Sequence, residues 1–272
     1  MKGFVDLHCH WLPGIDDGAR TLEEGAEMLR RLHRAGFSHV VATPHIRPAM
    51  FENRAPDLLR RFVEILPLLR ELPDQAELPE VSLSSEHFYD DLVFDELRAG
   101  RGLPFRLGTD FARTDFARTD GRTDGRTDGR TDARVGGTLL IEFHDLPGPG
   151  ALERRLGELT SRGYLPLIAH PERYRELWRD PARLESALEA GAVALLDVAA
   201  VLGKYGAEPR RTAERLLELG LYEAACSDAH RPSDVDDAAA GIDWLFAQRG
   251  ADEARFLLEE APRSLLHDSI PA

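Results

Sequence analysis

The chain has 272 residues, a formal net charge of -14, 43% hydrophobic residues and two cysteines. That apolar share supplies a core and excludes global disorder, and the acidic balance argues against a nucleic-acid partner. Cys9 and Cys226 are too few for a disulfide framework, so a reducing cytoplasm is expected. No apolar run approaches the roughly 18 residues that would span a bilayer, and MKGFVDLHCH has no apolar signal-peptide region, so neither membrane insertion nor a signal peptide is expected.

The first strand is expected at 4–8 (FVDLH). A helix follows at 21–35, opened by Thr21 and Glu24 at capping-box spacing. The second strand is expected at 39–45 (HVVATPH), a helix at 55–71 and the third strand at 81–88 (VSLSSEHF). Residues 109–134 break the rhythm: RTD recurs at 113, 118, 122, 126 and 130, with almost nothing to bury, and a disordered surface loop is expected. The fourth strand is expected at 138–143 (TLLIEF), a helix at 151–162, the fifth strand at 165–170 (LPLIAH) and a helix at 181–190. The sixth strand at 192–199 (AVALLDVA), a helix at 208–219, the seventh strand at 224–230 (AACSDAH) and a helix at 234–249 complete the series. This alternation predicts a parallel sheet with covering helices, and seven strand–helix units over 1–272 favour one closed α/β barrel.

The polar residues fall at one end of these strands. His8 and His10 end the first, His45 the second, Glu142 the fourth and His170 the fifth, Asp228 and His230 end the seventh, and Glu86 lies near the end of the third. In α/β barrels that end builds the active site. A single His at a strand end is more often structural, but eight ligand-type residues at the same end of six strands point to a metal centre. Residues i and i+2 of a strand share a face, so His8 and His10 point together, as do Asp228 and His230, while Cys9 points away. Mixed imidazole and carboxylate donors without thiolate suit Mn²⁺, Fe²⁺ or Zn²⁺. Several such ions close together are suited to phosphate-ester hydrolysis. Thiol chemistry of the C-x5-R type is not supported, because Ile15 and Pro232 stand where the arginine would be needed.

The segments DLHCHWLPGIDDGA, TPHIRPAMFEN, LIEF, IAHPERY and SDAH together resemble the PHP (polymerase and histidinol phosphatase) superfamily. Within it they are similar to the metal-dependent bacterial protein-tyrosine phosphatases of capsule and exopolysaccharide synthesis. The resemblance implies a distorted (β/α)7 TIM-like barrel with three divalent ions, Mn²⁺ before Fe²⁺ or Zn²⁺. It implies one ion on His8, His10, Glu86 and Asp228, with Glu86 bridging to a second held by Glu142 and His170. A third would lie on Asp17, His45 and His230. Asp16 is expected to be a turn or cap residue. Arg173 is the expected phosphoryl-binding arginine, its alternative being a surface ion pair with Glu172 or Glu176. Arg47 is a weaker substrate-binding candidate, and Phe51 a candidate wall of the ring-binding cleft. His87 and His144 are candidates for support of the ligands.

Two departures stand out. HRPSDVDD puts Arg231 directly after His230 where the family carries an arginine further on, so Arg231 is the candidate replacement. Asp197 stands where an amide or other polar residue is expected. The implied activity is a cytoplasmic phosphatase acting on the phosphorylated tail of a bacterial tyrosine kinase, with the oligomeric state open. The alternatives are a small-molecule phosphatase such as one for histidinol phosphate, and a non-catalytic barrel that docks a kinase.

Overall fold

The computed structural model describes residues 3–73, 75–105, 136–148 and 150–267, so the RTD segment predicted as a disordered loop lies outside the described residues. The chain runs β1 (Phe4–Cys9), α1 (Leu22–Arg34), β2 (Phe37–Ala42), β3 (His45–Ile46), α2 (Ala55–Glu71), β4 (Glu80–Leu83), β5 (Glu86–Phe88) and α3 (Asp91–Arg98). It continues with β6 (Gly137–Glu142), α4 (Ala151–Ser161), β7 (Tyr164–Ala169), α5 (Arg175–Arg179), α6 (Ala182–Glu189), β8 (Val193–Asp197) and α7 (Ala207–Glu218). Then come β9 (Ala224–Cys226), α8 (Pro232–Arg249), α9 (Ala251–Arg255), a π-helical turn at Phe256–Glu260 and α10 (Ala261–His267).

Every strand pair is parallel, in the orders β1-β2-β4 and β3-β5-β6-β7-β8-β9. The two sheets are one barrel. The predicted second strand breaks at Thr43–Pro44 because proline has no N–H for the ladder, and the third breaks at Ser84–Ser85. Single bonds carry the ladder across both breaks: Ser84 N–H to the Ala42 carbonyl at 2.8 Å and Glu86 N–H to the Pro44 carbonyl at 3.2 Å. The far edge closes where Cys9 bridges Ala229 and the Asp228 N–H donates to the His8 carbonyl at 2.9 Å. Seven parallel staves result, the distorted TIM-like barrel expected from the sequence.

Packing leaves one end of the barrel for chemistry. Val5, Leu7, Val41, Leu140, Leu167, Leu195 and Ala224 fill the lower interior, and Leu265 and Leu266 of α10 join them. The Thr138 hydroxyl ties that helix in place by donating to the Leu265 carbonyl at 3.0 Å. The helices at 251–267, with α3 and α5, are not expected from the sequence; α5 and α9 are five residues each, too short for an apolar period to declare itself. Among the described residues no helix is long and apolar enough to cross a membrane. The Thr21 cap forms, its hydroxyl accepting the Glu24 N–H at 3.2 Å, but Glu24 reaches back to the Arg20 N–H rather than to that of Thr21.

Candidate metal centre

Alternation alone would not aim the first two histidines as found. Val5 and Leu7 belong to the inner cluster, so a regular strand would put Cys9 there as well. The register of β1 on β2 shifts between Asp6 and Cys9, inserting one residue into β1. Cys9 then packs in the outer cluster, and His8 and His10 face the carboxylates across the barrel. A bulge beside an active site commonly re-aims a side chain in this way.

Glu86 and Asp228 each approach the His8–His10 pair at the bottom of the cup. His8 Nε2 lies 3.1 Å from His10 Nε2, 3.2 Å from Glu86 Oε2 and 3.2 Å from Asp228 Oδ1. His10 Nε2 stands 3.5 Å from the Glu86 oxygen and 3.6 Å from the Asp228 oxygen. Ligands about 2.1 Å from one tetrahedral ion would be separated by about 3.4 Å, so the spacing of His8, His10 and Asp228 is that of a shared cation, while Glu86, expected on the same ion, is grouped with His8 and His170 and with His45 and Glu142 instead. Nearer the rim, Asp17 Oδ1 lies 3.4 Å from His45 Nε2 and 3.5 Å from His230 Nε2. His170 Nε2 approaches Glu86 Oε1 at 3.2 Å, and His45 Nδ1 lies 2.9 Å from Glu86 Oε2. The donor atoms thus gather as His8–His10–Asp228, His10–Asp17–His45–His230, His8–Glu86–His170 and His45–Glu86–Glu142. Glu142 and His170, expected on one ion from the resemblance, fall in different groups, each sharing Glu86.

The unsatisfied atoms fit divalent cations. Asp228 Oδ1, Glu142 Oε2 and His45 Nδ1 are buried without a hydrogen bond, which is costly unless an ion takes the lone pair. Electrostatics agree. Burial alone would raise the Glu86 and Asp228 carboxyls, yet the imidazoles around them, with Arg173 beside Asp228, hold both well below the usual range. Glu142 is raised by burial and by the Glu86 carboxylate. His170 and Asp228 also take positive φ, 32° and 45°, although neither is glycine. Each such residue costs of order 1–3 kcal/mol and persists where its surroundings impose it.

Asp16 does more than close a turn. Its Oδ1 accepts the Gly18 N–H, while Oδ2 lies 2.8 Å from His10 Nδ1 and accepts the His45 N–H at 3.1 Å. Against the effect of burial, this carboxylate raises His10 to about 10. One aspartate thereby orients two candidate ligands. A carboxylate behind a ligating imidazole contributes 10–100-fold in metal affinity. Asp16→Asn is therefore expected to retain metal 10–100-fold less tightly, read as metal content after dialysis against graded chelator, with unchanged retention refuting the role. The adjacent Asp-Asp pair is the only signal for it in the sequence.

The arginines separate. Arg173 lies beside the centre: its Nη2 donates to both Asp228 Oδ2 and Asp197 Oδ2, and its guanidinium carbon sits 3.9 Å from the Tyr205 ring centroid. The alternative of a surface pair with Glu172 or Glu176 is overturned, because Glu172 is fully buried and its oxygens accept from the Tyr222 hydroxyl and the Asp197 N–H. Arg47 stacks on Phe88 at 4.1 Å, and its charge partly offsets the rise that burial and Glu86 impose on the Glu142 carboxyl. Arg231 is exposed at the start of α8, where its N–H and that of His230 both donate to Asp234 Oδ2. Phe51 lies flat against His45, with ring centroids 5.3 Å apart and planes within 6°. His87 turns away from the centre: Nδ1 meets the Leu140 carbonyl and Nε2 accepts the Leu103 N–H, so the supporting role considered for it is corrected to a backbone one. His144 is likewise corrected, being exposed beside Asp145.

Burial, then the Asp197 carboxylate, raises Glu172 to about 8. An unfolded glutamate titrates near 4.3. Since the folded value is the higher, the stabilisation is complete below about pH 4 and is lost as pH rises through 8. Between pH 7 and pH 9 this group should cost about 1.4 kcal/mol of stability. Glu172→Gln, which mimics the neutral acid, should lose correspondingly less in urea unfolding at the two pH values; equal losses would exclude Glu172 as the cause.

The family model described as "Capsular polysaccharide synthesis, CpsB/CapC" matches residues 4–121 and 133–267, the gap falling inside the RTD segment. The tyrosine-protein phosphatase YwqE of Bacillus subtilis (strain 168) is 26% identical over 97% of this chain and 92% of its own length. The tyrosine-protein phosphatase CpsB of Streptococcus pneumoniae is 22% identical over 98% of this chain and 99% of its own. A solved structure from work on YwqE and CpsB, described as "unique metal-dependent tyrosine phosphatases", superposes with a TM-score of 0.77 at 26% identity, covering 98% of this chain and 96% of that one.

Proposed function

The chain belongs to the capsular polysaccharide synthesis CpsB/CapC family, and from that premise we propose that it is a metal-dependent tyrosine-protein phosphatase. The observation that carries this reading is the convergence of the His8 and His10 imidazoles with Asp228 at 3.1–3.6 Å, with Glu86 3.2 Å from His8 and Arg173 bonded to Asp228. The residues proposed to hold cations, Mn²⁺ first, are His8, His10, Asp17, His45, Glu86, Glu142, His170, Asp228 and His230. Bound divalent ions would neutralise phosphoryl oxygens and lower the pKa of a water.

The chain's own groups do the rest. Arg173 supplies a charged N–H donor for a phosphoryl oxygen. Arg47 and Phe51 line the approach beside His45, where a tyrosyl ring would pack against Phe51. The tyrosyl oxygen has an ordinary pKa near 10, so it leaves more readily than a serine alkoxide. A site whose imidazoles are committed as ligands therefore favours phosphotyrosine. The substrate proposed is the tyrosine-phosphorylated tail of a kinase controlling polysaccharide synthesis, in the cytoplasm, where the buried free thiols of Cys9 and Cys226 remain reduced.

Phosphate release from a phosphotyrosine peptide and from histidinol phosphate, measured in parallel, tests the reading. Release from the peptide at least tenfold faster in kcat/KM is expected. Preference for histidinol phosphate would keep the centre and move the enzyme to small-molecule metabolism. Release from neither would favour the non-catalytic barrel.

A further inference from the structure

Arg173 is held by a chain of buried acceptors that the metal centre itself does not require. Asp197, at the end of β8, is fully buried and uses both carboxylate oxygens. Oδ1 accepts the Ala199 N–H at 2.8 Å, and Oδ2 accepts from Arg173 Nη2. Behind it, the Asp197 N–H donates to Glu172 Oε1 at 3.1 Å, and the Tyr222 hydroxyl donates to Glu172 Oε2 at 2.9 Å. Tyr205 covers one face of the guanidinium. Nη2 is thereby pinned between Asp197 and Asp228, whereas Nε is buried without a hydrogen bond among the described residues.

We propose that Asp197 is a positioning residue for substrate: it fixes the Arg173 guanidinium on the wall of the centre and leaves Nη1, which makes no hydrogen bond among the described residues, as the charged donor for a phosphoryl group. The chemistry asks for a carboxylate here. An amide offers one acceptor, and Asp197 uses two at the same time, one for the turn after β8 and one for Arg173. Asparagine must therefore surrender either the Ala199 N–H or the arginine. Without Asp197 the guanidinium keeps only Asp228, whose Oδ1 faces His8 at 3.2 Å, so its resting place is drawn toward the ligand cluster. The reach of the remaining Nη1 donor to a phosphoryl oxygen depends on that placement.

The inference rests on the phosphatase reading for what Arg173 binds, and its test uses inorganic phosphate so that the two fail separately. Manganese-loaded wild type, Asp197→Ala, Asp197→Asn, Arg173→Ala and the Asp197→Ala/Arg173→Ala double variant are titrated with phosphate by calorimetry. KM and kcat for a phosphotyrosine peptide are taken alongside, with metal content and melting temperature as controls. Asp197→Ala is expected to raise the phosphate Kd and the KM about tenfold while kcat falls less than threefold and metal content holds. Asp197→Asn, the milder change should the alanine variant fold poorly, is expected between wild type and alanine. In the Arg173→Ala background, loss of Asp197 should change phosphate affinity less than twofold, because Asp197 acts through the arginine. Additive losses would overturn the proposal, as would phosphate affinity within twofold of wild type in both Asp197 variants, or a wild type that binds no phosphate. A wild type that binds phosphate but releases none from the peptide overturns the function and leaves the role of Asp197 standing.

Discussion

His45→Ala is expected to yield a folded barrel whose kcat/KM on a phosphotyrosine peptide is lower by about 10³ or more, roughly 4 kcal/mol of transition-state stabilisation. His45 offers Nε2 toward Asp17 and Nδ1 toward Glu86, so its ring touches both the rim and the floor of the centre. Groups that merely orient a ligand already cost 10–100-fold; removing the ligand itself should cost more. The fold has little to lose, because β3 is a two-residue strand and the barrel closes through the backbone of β1 and β9. Asp228→Asn should be at least as damaging, since Asp228 contacts His8, the His10 ring and Arg173 together. Activity is read from steady-state phosphate release and folding from thermal unfolding. A folded His45→Ala protein with wild-type turnover would refute the assignment of the centre.

Removal of metal is the second large effect. Stripping with a chelator is expected to abolish phosphate release to background, and Mn²⁺ should restore most of it, with Fe²⁺ or Zn²⁺ as alternative activators. The reason is electrostatic. Glu86, Asp228 and Glu142 crowd one cup with Asp17 at its rim, and without cations only the neighbouring imidazoles and arginines balance them. Against the effect of burial, Glu86 raises the His8 and His45 imidazoles, and a protonated imidazole cannot ligate, so metal binding must displace those protons. The metal-free protein should also unfold at lower temperature, because ions that bind only the folded state stabilise it by mass action. Turnover unaffected by chelation, with metal content shown to be nil, would exclude the metal-dependent reading.

Much of the fold and of the centre is legible in the order of residues, for a physical reason. Strands that alternate with helices along the chain must pair in parallel, and a parallel sheet reads as continuous apolar runs. The runs at 138–143 and 165–170 correspond to β6 and β7 within a residue at each end. The helix expected at 55–71 coincides with α2, whose start carries proline in the first turn where its missing N–H costs nothing. The polar residues interrupting those runs declare themselves because a histidine or glutamate at the end of an apolar strand has no packing role to explain it.

Other features escape the sequence because they depend on which strands meet across the barrel. His87 and Glu86 are neighbours of similar polarity, yet the pleat sends Glu86 among the candidate ligands and His87 to the Leu140 carbonyl and the Leu103 N–H. Nothing local distinguishes Asp16 from Asp17; the difference is that one reaches His10 Nδ1 and the other His45 and His230. The bulge in β1 is a mismatch between two strands about 30 residues apart, and only their register reveals it.

Residue order and composition thus specify the kind of molecule: an α/β barrel, the end that carries its chemistry, and the residue types gathered there. Periodicity and composition are properties of the chain, and they survive without coordinates. The allocation of roles comes from the folded barrel. It splits Glu142 and His170 between different ligand groups, commits Asp16 to two histidines, and binds Arg173 to Asp228 while Arg231 stands exposed at the start of α8. It also pairs Asp197 with an arginine 24 positions away in the chain. Hydrogen bonds and ion pairs are set by distances of a few ångströms between strands that the chain order does not measure.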